Sequence, residues 1–380
     1  MKIFHLSDLH IGKRVNGYSM LEDQKFILEQ IISDIREESP QAVVIAGDVY
    51  DKSMPSEDAV SLLDDFLCKI ASLDNAPQVF IIYGNHDSAE RLSFGNRLIR
   101  RSGVHLSPVF SGKIEPVVLN DEYGEVAFIM LPFIKPSSVR NAYPEETVES
   151  YTDAVRVALK HVPRKENQRT VLIAHQYVTG AKTSDSEESI IGGIDGVDAS
   201  AFDGFDYVAL GHLHRPQEVP GRKNMRYCGT PLKYSRSEKD DEKGILVVEL
   251  GGDKAVDCRV IPLKPLHDMR EIKGTYNELT LRDNYQGTRT DDYIHAILTD
   301  ENDVIGAIGS LRAIYPNLIS LEYENLRTSG QAEIKALDRI EEKTDMEILA
   351  DLYLWQNNQE MSEEQMDYSR RIFADDEEER

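Results

Sequence analysis

Five short polar phrases carry residue types that can hold metal ions: Asp8-Leu9-His10, Gly47-Asp48-Val49-Tyr50-Asp51, Gly84-Asn85-His86-Asp87, His175, and Gly211-His212-Leu213-His214. Together they offer carboxylates, an amide oxygen and imidazoles but no thiolate. That donor set suits divalent ions of intermediate hardness such as Mn²⁺, Fe²⁺, Co²⁺ or Zn²⁺. Asp8, His10, Asp48, Asn85, His175, His212 and His214 make seven candidate ligands, too many for one tetrahedral site. They suit two cations roughly 3.5–4 Å apart that share one carboxylate, the arrangement of phosphoester chemistry. Asp48 is the natural bridge, because Gly47 lets the backbone turn sharply behind a strand and leaves the carboxylate projecting. Each phrase alone also has an ordinary reading. Asp8 and His10 could close a strand in solvent, and His175 could be a core-edge histidine with one satisfied hydrogen bond. It is their recurrence in one chain, each after a strand, that selects the dinuclear site.

The elements that must position these residues are legible as hydrophobic runs. Segments 3–6, 42–46, 79–82, 126–131, 171–174, 207–210 and 245–250 are short, apolar and β-branched, and read as buried strands. They alternate with helical patterns over 21–35 (Phe26, Ile27, Ile31, Ile35) and 59–70 (Val60, Leu63, Phe66, Leu67, Ile70), so the fold class is α/β. Open sheets of this class place ligands beyond the carboxyl ends of their strands. Residues nearly 200 positions apart are therefore expected to meet at one edge. Pro262 and Pro265 interrupt strand and helix alike and mark a boundary. Beyond it, strands over 293–298 and 318–321 and a helix over 304–314 make a small α+β unit. A polar linker at 327–331 leads to two short amphipathic helices. The first carries Met346, Leu349, Leu352 and Tyr353 at helical spacing; the second opens on Ser362-Glu363-Glu364-Gln365, a capping box with Ser362 as N-cap and Gln365 at N3. The expected organisation is 1–265, 266–327 and 328–380.

The series Asp-x-His, Gly-Asp-x-x-Asp, Gly-Asn-His-Asp, His, Gly-His-x-His resembles the signature of the calcineurin-like metallophosphoesterases, and every element matches. The segments 7–13 and 47–51, with Tyr315-Pro316-Asn317 after the small α+β unit, further resemble bacterial nuclease subunits that work with a coiled-coil ATPase. The resemblance implies a β-sandwich flanked by helices, with 266–327 as a capping domain and C-terminal helices that dock on an SbcC-type ATPase. It implies a first metal held by Asp8, His10, Asp48 and His214, and a second held by Asp48, Asn85, His175 and His212, with Mn²⁺ as the ion. His86 would contact the scissile phosphate rather than a metal, and Asp51 would accept a hydrogen bond from it. The implied activity is 3′–5′ exonuclease and endonuclease cleavage in DNA repair and recombination, by a homodimer paired through the helices over 59–70 and 89–101.

The 380-residue chain carries a net charge of −24, which excludes a polybasic nucleic-acid coat. The charge is uneven: 328–380 holds −10, while 91–113 and 215–236 each hold +5. The two basic stretches and Lys13-Arg14 adjoin metal-binding phrases, so Lys13, Arg14, Arg91 and Arg215 are candidate DNA contacts. A dinuclear site on its own specifies a phosphoester, not which one. A nucleotide phosphoesterase and a non-catalytic DNA-end tether are the rival readings, and a tether has no need of so many positioned ligands. Three distant cysteines without a Cys-x-x-Cys pair point to free thiols in a reducing compartment. No apolar run approaches 18 residues, so a cytoplasmic protein with no membrane contact is expected.

Overall fold

A computed structural model describes residues 1–187, 196–325, 345–357 and 359–378. The chain divides into two units, Met1–Asp268 and Met269–Arg380.

In the first unit two six-stranded sheets face each other. One runs in the order Val256–Pro262, Gly244–Leu250, Lys2–Leu6, Ala42–Ala46, Gln78–Ile82, Val104–Leu106; its last four strands are parallel. The other runs Gln217–Val219, Arg222–Tyr227, Tyr207–Gly211, Arg169–His175, Gly124–Leu131, Val117–Asp121, with its four central strands parallel. Alternate residues of each point inward: Ala42, Val44, Ala46, Phe80 and Ile82 from the first sheet share a core with Phe128, Met130, Val171, Ile173 and Ala209 from the second. Phe80 stacks on Phe128 with ring centroids 4.3 Å apart. The intervening residues are buried too, because helices cover the outer faces. Ile129, Leu131, Leu172 and Leu210 join a cluster with Val155 and Ala158 of the Tyr151–Lys160 helix.

The apolar runs expected as strands all are strands, and the two long helices form as Leu21–Glu38 and Glu57–Ala71. Phe26 and Val60, counted into their apolar faces, are instead exposed, since the buried stripes pass through Ile27, Ile31, Ile35 and Ala59, Leu63, Phe66, Ile70. The 89–101 segment breaks into the short helices Ala89–Leu92 and Asn96–Ile99 and a 3₁₀ turn, with Gly95 at φ 76° between them.

The second unit has a three-stranded parallel sheet, Met269–Gly274, Tyr293–Leu298 and Leu318–Tyr323, over a core that includes Ile294, Leu298, Leu311 and Leu318. Asp345–Asn357 and Glu363–Glu378 are helices. The reciprocal bonds of the capping box are both present: Ser362 N donates to Gln365 Oε1 (2.9 Å) and Gln365 N to Ser362 Oγ (3.3 Å). The linker read at 327–331 lies outside the described residues. Among the described residues no helix is long and apolar enough to cross a membrane.

Candidate metal centre

The parallel strands of both sheets end at one edge of the sandwich, and every candidate ligand lies at or just past such an end. Asp8 and Asp48 follow their strands by two residues, Asn85 by three; His175 closes its strand and His212 follows Gly211. The turns that carry them are backbone-strained. Asp8, His10, Asp48 and His212 have φ of 52°, 44°, 47° and 103°, a left-handed region that costs a non-glycine residue ~1–2 kcal/mol. Gly47 (φ 88°) admits the close approach of His175, whose Nδ1 would lie 2.2 Å from a Cβ at that position.

Asp8, His10, Asp48, His175, His212 and His214 are all buried. His10 Nε2 and His214 Nε2 face each other at 3.1 Å. Asp48 Oδ2 lies 3.3 Å from His175 Nε2 and 3.8 Å from His10 Nε2, between the two halves of the cluster. Asn85 Oδ1 sits 3.0 Å from His175 Nε2 and 3.1 Å from His212 Nδ1. Donor atoms of Asp8, His10 and His214, and of Asp8, Asp48 and His175, lie within 4.8 Å of one another. This set fits divalent cations. Only one of the facing Nε2 atoms can hold a proton, whereas a cation between them takes both lone pairs.

The electrostatics are those of a site built for positive charge. Burial pushes the Asp8 carboxyl up to about 6, against the pull of His175 and His214. Burial acts on Asp48 in the same sense, but His175 beside it outweighs burial and holds it well below the carboxylate range. Burial opposes the charge on His175, and the attraction of Asp48 overcomes it, raising His175 to about 9. Burial pushes His212 down to about 3, aided by the charge of His175, and takes His10 well below its usual value.

His86 is partly exposed, its Nε2 4.0 Å from Asp48 Oδ2. Its backbone N–H donates to Asp48 Oδ1 (3.0 Å), and its Nδ1 lies 3.0 Å from the backbone oxygen of Asp51. The contact expected between Asp51 and His86 is therefore made by a carbonyl, not by the carboxylate. The Asp51 carboxylate pairs with Lys13 (2.9 Å) and lies 3.8 Å from His10 Nδ1, because its segment runs beside the first loop, with a parallel bridge between Tyr50 and Ile11 and Asp51 N–H donating to Ile11 O (3.2 Å).

The candidate DNA contacts are differently placed. Lys13 is committed to Asp51 and lies 5.9 Å over the Tyr234 ring; Arg14 bonds Gly17 O. Arg215 pairs with Asp241 (3.0 Å), and Arg222, Arg226 and Lys233 pair with Asp203, Glu218 and Asp268. Glu218 is already counted in the +5 of the 215–236 stretch, and Asp203, Asp241 and Asp268, which lie outside it, neutralise three more of its cations. Arg91, Arg97 and Arg101 are exposed, and no ion pair engages them among the described residues.

Several supporting residues escaped the sequence reading. Asp87 accepts the backbone N–H groups of Val49 (3.1 Å), Tyr50 (2.9 Å) and Gly84 (2.9 Å), clamping two ligand loops. Its position in the Gly-Asn-His-Asp phrase was the available signal. Gln24 and Tyr234 hold the first loop through His10 O (2.7 Å) and Leu9 O (2.7 Å). Ser186 and Glu238 lie behind His214, and nothing in their local sequence marks them.

Residues 1–216 match the calcineurin-like phosphoesterase family, and 265–357 match the Type 5 capsule protein repressor C-terminal domain. The chain is 32% identical over 380 residues to SbcD, the D chain of nuclease SbcCD, from Staphylococcus epidermidis, covering 98% of each protein. Among solved structures, a dimetal phosphatase from Danio rerio aligns over 70% of this chain and 99% of its own at 14% identity (TM-score 0.41). GAP50, the anchor in the inner membrane complex of Plasmodium, aligns over 87% and 98% at 12% identity (TM-score 0.43). With a family match over more than half its length and a full-length relative, the chain belongs to the calcineurin-like phosphoesterases and, within them, to the SbcD lineage.

Proposed function

We propose that this chain is a metal-dependent DNA nuclease that works with an SbcC-type ATPase, cleaving phosphodiester bonds at DNA ends and hairpins as exonuclease and endonuclease. The observation that carries the reading is the convergence of all seven candidate ligands at one sandwich edge in a chain that matches SbcD along its length. Asp8, His10, Asp48 and His214 would hold one cation and Asp48, Asn85, His175 and His212 the other, with Mn²⁺ as the ion. Two such cations would supply a water nucleophile at neutral pH and would offset negative charge developing on the phosphodiester.

The chain's own residues do the rest. His86, partly exposed beside the buried ligands, donates from Nε2 to a non-bridging or leaving oxygen of the phosphodiester. The Asp51 carbonyl fixes the ring by accepting from Nδ1, and the Asp51 carboxylate, with Lys13, shapes the floor beside His10. Arg91, Arg97 and Arg101, whose charges are available, track the DNA backbone. Exposed Phe94 and Leu98 in the same segment support a homodimer joined there.

Residues 1–265 would be the nuclease domain, 266–327 a cap over the DNA, and 328–380 the ATPase-docking tail. Three free cysteines support a cytoplasmic setting. The test is incubation with Mn²⁺ and linear or hairpin DNA, with and without the ATPase. DNA cleavage lost on chelation is expected. Turnover of nucleotide esters with no DNA cut under any condition would replace this reading with a small-molecule phosphoesterase.

A further inference from the structure

We infer that Glu238, acting through the hydroxyl of Ser186, is a positioning residue that keeps the His214 proton on Nδ1 and leaves Nε2 bare toward the metal centre; this rests on His214 being a ligand, as proposed above. Glu238 is fully buried and its oxygens are saturated with donors. Oε1 accepts from Ser186 Oγ (2.6 Å) and Ser235 Oγ (2.9 Å); Oε2 accepts from Lys243 Nζ (2.6 Å) and Thr230 Oγ1 (3.2 Å). A carboxylate only accepts, so the single proton of Ser186 goes to Glu238. Ser184 Oγ, 3.1 Å from Ser186 Oγ, donates its own proton to Glu187 Oε1 (3.1 Å). The oxygen of Ser186 is then an acceptor 2.6 Å from His214 Nδ1, and that nitrogen must carry the proton.

The backbone of His214 is held from the same two segments. Its N–H donates to Glu187 Oε1 (2.6 Å), and its carbonyl accepts from Lys243 Nζ (2.8 Å). Ring and main chain are thereby oriented together, as outer-shell partners orient metal-ligating histidines generally. Lys243 completes the relay. Its ammonium demands an oxygen at the Oε2 position, so an amide at residue 238 would present its NH₂ to Ser186. That reverses the chain of donors and drives a proton to Nε2.

The experiment uses the full chain. Long-range ¹H–¹⁵N spectra of the metal-free protein read which nitrogen of His214 is protonated, and Mn²⁺ titration calorimetry reads affinity. Wild type is expected to be protonated at Nδ1. Glu238→Gln is expected to move the proton to Nε2 and weaken Mn²⁺ binding about 10–100-fold. Ser186→Ala, on a partly exposed segment that leaves the Glu238–Lys243 pair intact, should release the Nδ1 preference, and Ser186→Thr should restore it. A His214 that stays protonated at Nδ1 in both Glu238→Gln and Ser186→Ala overturns the inference, whatever the metal does. A tautomer that switches with Mn²⁺ affinity unchanged upholds the relay and removes His214 from the ligand set.

Discussion

Gly211→Ala is the substitution that most directly tests how closely the two facing sheets approach at the metal centre. A Cβ on residue 211 would lie 1.8 Å from the backbone oxygen of Ala46 and 2.9 Å from both the Ala46 carbonyl carbon and His175 Nδ1. The obstacle is main chain of the facing sheet, so no side-chain rotation relieves it. Overpacking of this kind costs about 1–3 kcal/mol. Ala46 O is also the partner of buried His175 Nδ1 at 2.8 Å, and disrupting that bond adds about 1–3 kcal/mol. A total near 4 kcal/mol lowers Tm by about 8–16 °C for a domain of this size without unfolding it at 25 °C. Asp48 lies two residues past Ala46 and His212 next to Gly211, so the shift that relieves the clash separates ligands. Mn²⁺ affinity should fall at least ~10-fold. Thermal melting and Mn²⁺ calorimetry of Gly211→Ala and Gly309→Ala provide the comparison. At Gly309, in the Ala307–Ile314 helix, an added Cβ meets nothing within 4 Å, and the change should stabilise by about 0.5–1 kcal/mol. A Gly211→Ala protein that melts within ~2 °C of wild type and binds Mn²⁺ equally well would refute the steric reasoning.

Four further outcomes are expected. His86→Ala should lower the DNA cleavage rate about 10²–10⁴-fold with Mn²⁺ stoichiometry unchanged in calorimetry; loss of a bound ion would make His86 a ligand. Because Asp48 raises His175 to about 9, His175 is charged at neutral pH and must lose its proton to bind a metal. Mn²⁺ affinity should therefore climb with pH up to about 9, with proton release read by calorimetry in buffers of different ionisation enthalpy; a pH-independent affinity would contradict it. The double substitution Arg97→Ala, Arg101→Ala should weaken DNA binding and flatten its salt dependence by a slope of about 1–2, whereas Arg222→Ala, which removes a cation already paired with Asp203, should change neither. Deleting 328–380 should abolish co-purification with the ATPase while leaving Mn²⁺ binding intact, and metal loss in that truncation would assign the tail to the catalytic fold.

The sequence by itself determined the inventory of the site and the elements bearing it. Apolar runs such as 42–46 and 171–174 can form little else but buried strands, and the ligand phrases stand directly behind them. Helix limits were legible where caps exist in the chain, as at Ser362 and Gln365, whose reciprocal bonds are local. Segment 89–101 was harder: its apolar spacing suits a helix, but Gly95 breaks it.

What only the tertiary structure decided depends on partners far apart in the chain. The basic stretch 215–236 loses much of its charge to Asp203, Asp241 and Asp268, acids invisible to a local charge count. Asp51 turns its carboxylate to Lys13 and leaves a carbonyl for His86, a choice set by the path of one loop. Behind His214, Ser186 and Glu238 approach from 28 residues before it and from another loop after it. Residue type and spacing determine which chemistry is available, because they set donors and charges. Which nitrogen is bare, which cation is unpaired and which backbone blocks a Cβ are determined by contacts that exist only once the two sheets have closed on each other.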